Sequence, residues 1–380
     1  MKRELIVDCK SGGTRAAVLE DGELAELHLE SGAPDGQTET LYYGRVQAVR
    51  PSVHAAFVEI GQELNAFLPL EEGMKIKGGD MLIVQGVAKQ TTQSKGLRVS
   101  TRVNLTGQTL VLIPGETGVH ISKKVKNPAT RARLSEIGRE ICPQDCAIII
   151  RTASEHVTVE QLRDEAKALL KMWETACLRA RGMAKPGILL EPELLTARLM
   201  RDMARNLERV VVNDLANYET LCRIQQEGRL SKETRVEYAD ERKTLLFDAF
   251  NLETAIDKAL KKRVWLPCGG YLVFDFAEAL TVIDVNSGKM VTGKNMEETA
   301  LRVNLEAVRE IARQLRLRDV GGIVIVDLID METDQSRREV LSAFKEAVKT
   351  DRMPVKIEGI TRLGLLEITR KRKGEQLRRA

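Results

Sequence analysis

Histidine is scarce in this chain of 380 residues: only His28, His54, His120 and His156 occur. None lies in the C-terminal half, so a serine triad has little purchase there. Cysteine is equally unhelpful. Cys9, Cys142, Cys146, Cys177, Cys222 and Cys268 are scattered and form no CxxC. Cys142 and Cys146 in CPQDC lack a second Cys or His pair, so a structural zinc is not expected. Reduced thiols and a cytoplasmic location are the default reading. No apolar run approaches the ~18 residues of a membrane span. The start, MKRELIVDCK, is charged within four residues and lacks the apolar core of a signal peptide. Charge bias is also missing: 59 Lys and Arg against 55 Asp and Glu give a net +4, which neither requires nor excludes a nucleic-acid partner. The exception is local. The chain closes on ITRKRKGEQLRRA, a basic stretch that suits phosphate contacts or a solvated terminal helix.

What is present is enough apolar material for real cores, 43% of the residues, and a length of roughly two to four domains. LIVDC, TRAAVLE and DGELAEL read as a strand meander. From Tyr42, the runs YYGRVQAVRPSVHAAFVEIG, LNAFLPL, GDMLIVQGVAK and GLRVSTRV are broken by Gly and Pro at near-regular spacing, which predicts a small barrel. Phe57 and Phe67 in this portion either stack bases from its surface or fill its interior. Residues 102–197 mix strands (TLVLIP, CAIIIRT) with a helix over VEQLRDEAKALLKMWETACLRAR. Leu162, Ala166, Leu169 and Trp173 repeat there at helical spacing. Residues 198–262 carry more helix and a strand at VVVND. The last segment predicts strands at YLVFDF, ALTVIDV and GGIVIVDL, and a helix from about Glu297 to Arg318. That helix should place Leu301, Leu305, Val308, Ala312 and Leu315 on one face.

Asp284 and Asp327 each close an apolar run, about one strand–helix–strand unit apart, so their strands should be neighbours in one sheet. Two carboxylates brought together repel unless a cation neutralises them. Mg²⁺ suits such a pair, because it prefers oxygen ligands and takes one or two protein carboxylates. Asn286 adds a ligand or a water-orienting group without charge. The plainer alternative is that Asp284 caps a turn and Asp327 pairs with an arginine.

The stretches ALTVIDVNSG, EETALRVNLEAVREIARQLRLRD, GGIVIVDLIDM and GLLEITR resemble the catalytic core of the ribonuclease E/G family. The likeness extends to YYGRVQAVRPSVHAAFVEIG with FLPL, to Lys89–Lys95 and to IIRTA at 149–153. The resemblance implies a multidomain α/β (α+β) fold. A split RNase H-like fold would occupy 1–39 and 198–262. An S1-type OB barrel (40–101) and a 5′-sensor domain (102–197) would be inserted in it, and a DNase I-like catalytic domain (263–380) would follow. It implies an Mg²⁺-dependent endoribonuclease acting on single-stranded RNA in ribosomal RNA processing or messenger decay, leaving 5′-phosphate and 3′-hydroxyl ends. Asp284 and Asp327 would hold one Mg²⁺, with Asn286 supporting them. Phe57, Phe67, Lys89 and Lys95 would bind RNA, and Gly107, Val111, Arg151 and Thr152 a 5′-monophosphate.

Two departures accompany the likeness. Family members usually continue into a CPxC zinc-link that supports a homo-oligomer, and this chain lacks the motif. Where the family tends to place a cation near the sensor pocket, this chain has Pro354, with Lys356 two residues further on. Competing readings are a non-catalytic RNA-binding protein using the barrel and basic stretch, and a metal-dependent phosphatase or deoxyribonuclease.

Overall fold

The computed structural model describes residues 2–10, 12–31, 39–71, 73–88, 96–203, 207–240, 245–288, 296–371 and 377. The expected meander is present as β1 (Arg3–Lys10), β2 (Gly13–Glu20) and β3 (Glu23–Ser31). The barrel follows: β4 (Leu41–Arg50), β5 (Ala55–Glu59), β6 (Ala66–Pro69), β7 (Met81–Ala88) and β8 (Arg98–Ser100). Its strands run β4-β5-β6-β8-β7, and a β4–β7 pairing closes it into an OB-like barrel. Val46, Ala56, Val58, Ala66, Leu68, Val84 and Val99 fill the interior.

Next comes a four-stranded sheet of β9 (Leu105–Thr106), β10 (Leu110–Pro114), β11 (Gly118–Ile121) and β12 (Cys146–Ile150), ordered β11-β12-β10-β9. Helices α1 (Pro128–Ile141) and α2 (Val159–Gly182) pack on it. A capping box of Thr158 and Gln161 starts α2 where the sequence pattern begins. Leu162, Ala166 and Leu169 are buried beneath it, with Trp173 at the edge of that core. Strand β13 (Gly187–Leu190) returns to pair with β4. Then follow α3 (Leu195–Asp202), β14 (Leu207–Val212), α4 (Leu215–Gln226) and β15 (Arg235–Tyr238). One sheet has the order β15-β14-β1-β2-β3.

After two short helices, α5 (Leu246–Ala249) and α6 (Leu252–Ala259), the last six strands form a single sheet. They are β16 (Arg263–Trp265), β17 (Tyr271–Phe276), β18 (Leu280–Asn286), β19 (Gly322–Asp327), β20 (Val355–Ile360) and β21 (Leu365–Arg370), in the order β16-β17-β18-β19-β21-β20. The β18–β19 pair is parallel and is joined through α7 (Met296–Leu317). Helix α8 (Asp334–Ala347) follows β19.

Alternation along these strands sends Leu272, Phe274, Ile283, Val285, Val324, Val326, Leu366 and Ile368 to one face, where α7 and α8 cover them. Each fully buried aliphatic or aromatic side chain contributes about 1.5–3 kcal/mol there. The buried stripe of α7 differs from the one predicted. Ala300, Val303, Ala307, Val308, Ile311, Ala312 and Leu315 face the sheet, while Leu301 and Leu305 sit half-buried at its edge. Val308, Ala312 and Leu315 are buried as predicted, and the stripe is shifted round the helix only at its N-terminal half, from Leu301 and Leu305 to Ala300, Val303 and Ala307.

The chain divides into two compact units: Met1–Ile6, Ala16–His28 and Asp240–Ala380 form one, and Val7–Arg15 with Leu29–Ala239 the other. No helix among the described residues is long and apolar enough to cross a membrane.

Candidate active site

Parallel pairing of β18 and β19 sets Ile283 against Val326 and Asp284 against Asp327. Period-2 geometry turns Ile283, Val285, Val324 and Val326 toward the helices and leaves the carboxylates on the uncovered face. The two aspartates therefore project side by side from adjacent strands about 4.8 Å apart. Both are exposed. The strands that carry them are half-buried, and each aspartate occupies a solvent-side position rather than the end of a wholly buried run. Asn286, two residues on and on the same face, donates through Nδ2 to Asp284 Oδ2 at 2.8 Å. Among the described residues no Lys or Arg pairs with either aspartate. The alternative of an Asp327–arginine pair is thus not found among the described residues.

The chain turns sharply after Asn286. Gly288 has φ +61°, and a Cβ there would come within 2.4 Å of the Gly269 carbonyl oxygen. Gly288, closing the Asn-Ser-Gly sequence, is what this close approach requires.

Two residues missed in the sequence hold the exit of β19. Asn304 is fully buried in α7; its Nδ2 donates to Ile329 O at 2.8 Å and its Oδ1 accepts from Ile329 N at 3.1 Å. A lone amide inside an apolar helical stripe was the available signal. Glu297, in the first turn of α7, accepts from Glu332 N at 2.7 Å, from Thr333 N and Oγ1 at 3.3 and 3.0 Å, and from the Ser336 hydroxyl. The Ser336 bond first, then the Glu332 amide, pulls its carboxyl down to about 2.

Among the described residues no group of three or more His, Cys, Asp or Glu side chains is arranged for a metal. The Asp284–Asp327 pair still offers the two carboxylates that Mg²⁺ commonly takes, water and substrate oxygens supplying the rest. All six cysteines are unpaired. Cys142 Sγ lies 3.2 Å from Cys146 O, and burial pushes both thiols up, away from the thiolate a metal needs.

In the four-stranded sheet, Arg151 follows β12 and its Nη1 donates to Gly107 O at 2.6 Å and Gln108 O at 3.4 Å. Its Nη2 donates to Asp202 Oδ1 at 2.8 Å. Thr152 opens a short 3-10 turn directly after it. Val111 lies opposite Thr106 and Ile149, half-buried and turned from the core. A Cβ at Gly107 would fall 1.9 Å from Glu165 Oε1, so any larger residue there would displace that carboxylate. Buried Glu165 in turn accepts from Thr109 N and from its hydroxyl, and burial raises its pKa. Thus Gly107, Arg151 and Thr152 adjoin one another, with two acidic neighbours, Glu165 and Asp202, that the sequence did not reveal. Pro354 precedes β20, its carbonyl accepting from Lys371 N at 3.1 Å.

On the barrel, Phe57 and Phe67 are cross-strand partners whose rings lie 6.1 Å apart at 77°. Both are half-buried and alternate with the interior residues Ala56, Val58, Ala66 and Leu68, so they do not fill the barrel. Lys89 and Lys95 lie outside the described residues.

Comparison with known proteins adds the remaining piece. Residues 104–373 match the model of the ribonuclease E/G family. Ribonuclease G of Escherichia coli K12 is 35% identical over 400 residues, which covers 99% of this chain and 81% of that protein. Ribonuclease G of Haemophilus influenzae is 36% identical, over 98% of this chain and 80% of its own length. Ribonuclease E of a Nostoc species is 34% identical over 95% of this chain and 55% of that protein. With agreement of this extent, the chain belongs to the ribonuclease E/G family.

Proposed function

We propose that the chain cleaves single-stranded RNA at a one-cation site formed by Asp284 and Asp327, with Mg²⁺ as the ion. Membership of the family makes it an endoribonuclease; the cation, the site and the product ends are our reading. The observation that carries it is the direct register of Asp284 with Asp327, with Asn286 bonded to the first. Two exposed carboxylates on adjacent strands repel each other and would repel an RNA phosphate. A bound divalent ion supplies charge neutralisation and a more acidic water. Asp284 and Asp327 hold it, and the Asn286 amide fixes the rotamer of Asp284. Asn304 and Glu297 anchor the chain beyond Asp327. In-line attack by water would leave 5′-phosphate and 3′-hydroxyl ends.

The rest of the reading assigns supporting roles. Phe57 and Phe67, half-exposed on the barrel, stack bases, with Lys89 and Lys95 adding charge. Gly107, Val111, Arg151 and Thr152 receive a 5′-monophosphate. Residues 40–101 serve as the S1-type barrel, 102–197 as the 5′ sensor and 263–380 as the DNase I-like catalytic domain. Segments 1–39 and 198–262 form an RNase H-like fold. Support for that pairing is local: Asn213, just past β14, accepts from Cys9 N at 2.7 Å and donates to Asp8 Oδ1 at 2.8 Å. Ribosomal RNA processing or messenger decay in the cytoplasm is the setting this activity fits.

The test is cleavage of matched single-stranded RNA and DNA oligonucleotides with and without Mg²⁺. RNA alone should be cut, and only with the ion. Asp284→Asn and Asp327→Asn should each abolish cleavage while RNA affinity stays within about twofold, because the phosphate and base contacts lie elsewhere. Near-normal turnover by either variant would remove the site.

A further inference from the structure

The uncovered face of the last sheet carries more than the aspartates. Trp265 is 63% exposed, the larger part of an indole left to solvent. Strand register places it opposite Tyr271, and Tyr271 opposite Asn286. The next row reads Arg263, Val273, Asp284, Asp327. The indole and the phenol ring lie 5.2 Å apart at 59°, and the Arg263 guanidinium stacks 4.5 Å from the Tyr271 centroid and 5.9 Å from that of Trp265. Among the described residues no carboxylate pairs with Arg263. A surface indole beside a tyrosine, with a guanidinium that no carboxylate holds, is costly to leave bare and well suited to a planar, electron-rich ligand.

We propose that Trp265, Tyr271 and Arg263 form a platform for one nucleobase of the RNA, next to the bond cleaved at Asp284 and Asp327. The inference rests on the reading of those aspartates as the cleavage site. Two strand spacings separate Trp265 from Asn286, about 10 Å, so the platform reaches a nucleotide flanking that site. The carboxylates alone give RNA nothing to hold. A face-on aromatic surface holds any base, because every base presents a π-face, and Arg263 adds a contact to that base or its phosphate. The occupant is therefore a base of single-stranded RNA, chosen by position rather than by identity.

The experiment uses a 5′-monophosphorylated RNA oligonucleotide and a matched series, each lacking one base near the cleaved bond. Trp265→Ala should raise KM about 5- to 100-fold, the range of one lost base stack. It should leave kcat within a few fold. Trp265→Phe should recover most of the loss. One base-lacking RNA should impose the same penalty on the wild type and none further on Trp265→Ala. Because Trp265 is exposed, its melting temperature should hold. Binding is read apart from cleavage in Trp173→Phe, Asp284→Asn, where the intact RNA should quench Trp265 fluorescence. Unchanged KM in Trp265→Ala with no quenching overturns the platform. A change in sedimentation with unchanged KM overturns it too, by making the face a contact between protein chains. Continued cleavage by Asp284→Asn would instead strike at the site itself, so the two failures are separable.

Discussion

Arg151 shows how much a single side chain's neighbours matter. Its guanidinium is a permanently charged fork, well matched to a terminal phosphate, and the IIRTA motif made it conspicuous. Within the fold, however, one arm of that fork is already donated to Asp202 Oδ1. A carboxylate occupies donors that a 5′-monophosphate would need, so the two anions compete. On the proposed reading, Asp202→Asn should widen the preference for 5′-monophosphorylated over 5′-hydroxyl RNA by about five- to tenfold, equivalent to a charged hydrogen bond of about 1–1.5 kcal/mol. Arg151→Ala should abolish the preference while leaving internal cleavage of circular RNA intact. Rates on the two linear ends, with melting curves to confirm folding, decide it. No sequence pattern announced Asp202, because residues 151 and 202 meet only through the fold. The aspartate pair was legible because each lies at the end of a recognisable strand. Phe57 and Phe67 were ambiguous since alternation alone does not say which side of a barrel strand is inside. Their T-shaped pairing opposite the filled interior resolves that.

Among the elements, strands and helices near Asp284 followed the pattern of the chain closely. YLVFDF and ALTVIDV became β17 and β18, and the long helix begins with two acidic residues where its dipole favours them. The N-terminal half of the α7 face was harder to read, because how a helix is turned against its sheet is a tertiary property. The same helix hides its most consequential residue. Asn304 clamps both backbone groups of Ile329, two residues beyond Asp327, from inside the core. Asn304→Ala leaves that peptide's donor and acceptor unmatched and should cost about 1–3 kcal/mol, read as a lower melting temperature. The loss should also loosen the end of β19. Small misplacements of a reacting group are expensive, so kcat should fall by about tenfold or more, with KM little changed. Asn304→Asp keeps the acceptor for Ile329 N but sets a buried carboxylate against Ile329 O, and should be no milder than Ala in melting temperature. A normal kcat at a reduced melting temperature would make the clamp purely structural.

At the scale of the whole molecule Glu26 of the first unit and Glu165 of the second should answer acid in opposite senses, and each unit contains one tryptophan as reporter: Trp265 in the first, Trp173 in the second. In the first unit Glu26 is buried, which by itself opposes ionisation. The His28 hydrogen bond and the Arg352 and Arg316 charges outweigh burial and hold its carboxyl far below the ordinary 4.5. Arg316 also forks onto Glu20, whose pKa is likewise lowered against its burial by Arg316 and Arg3. A depressed folded pKa means that this stability is fully present above the unfolded value and is lost as pH falls toward the folded one. Glu165, in the second unit, has its pKa raised by burial, so its strain at neutral pH is relieved as it gains a proton. Below about pH 4, the Trp265 signal in Trp173→Phe should therefore report loosening before the Trp173 signal in Trp265→Phe does. Glu26→Gln takes the carboxylate from Arg352, while Arg316 keeps Glu20, and should cost on the order of 3 kcal/mol at pH 7, the scale of breaking a buried ion pair. That cost should shrink on acidification, because wild-type Glu26 then loses the charge the variant never had. It should move only the Trp265 transition. Equal shifts of both tryptophans, or a gap between variant and wild type that does not narrow as pH falls below the ordinary 4.5 toward the folded value, would mean that Glu26 does not carry the acid response of its unit.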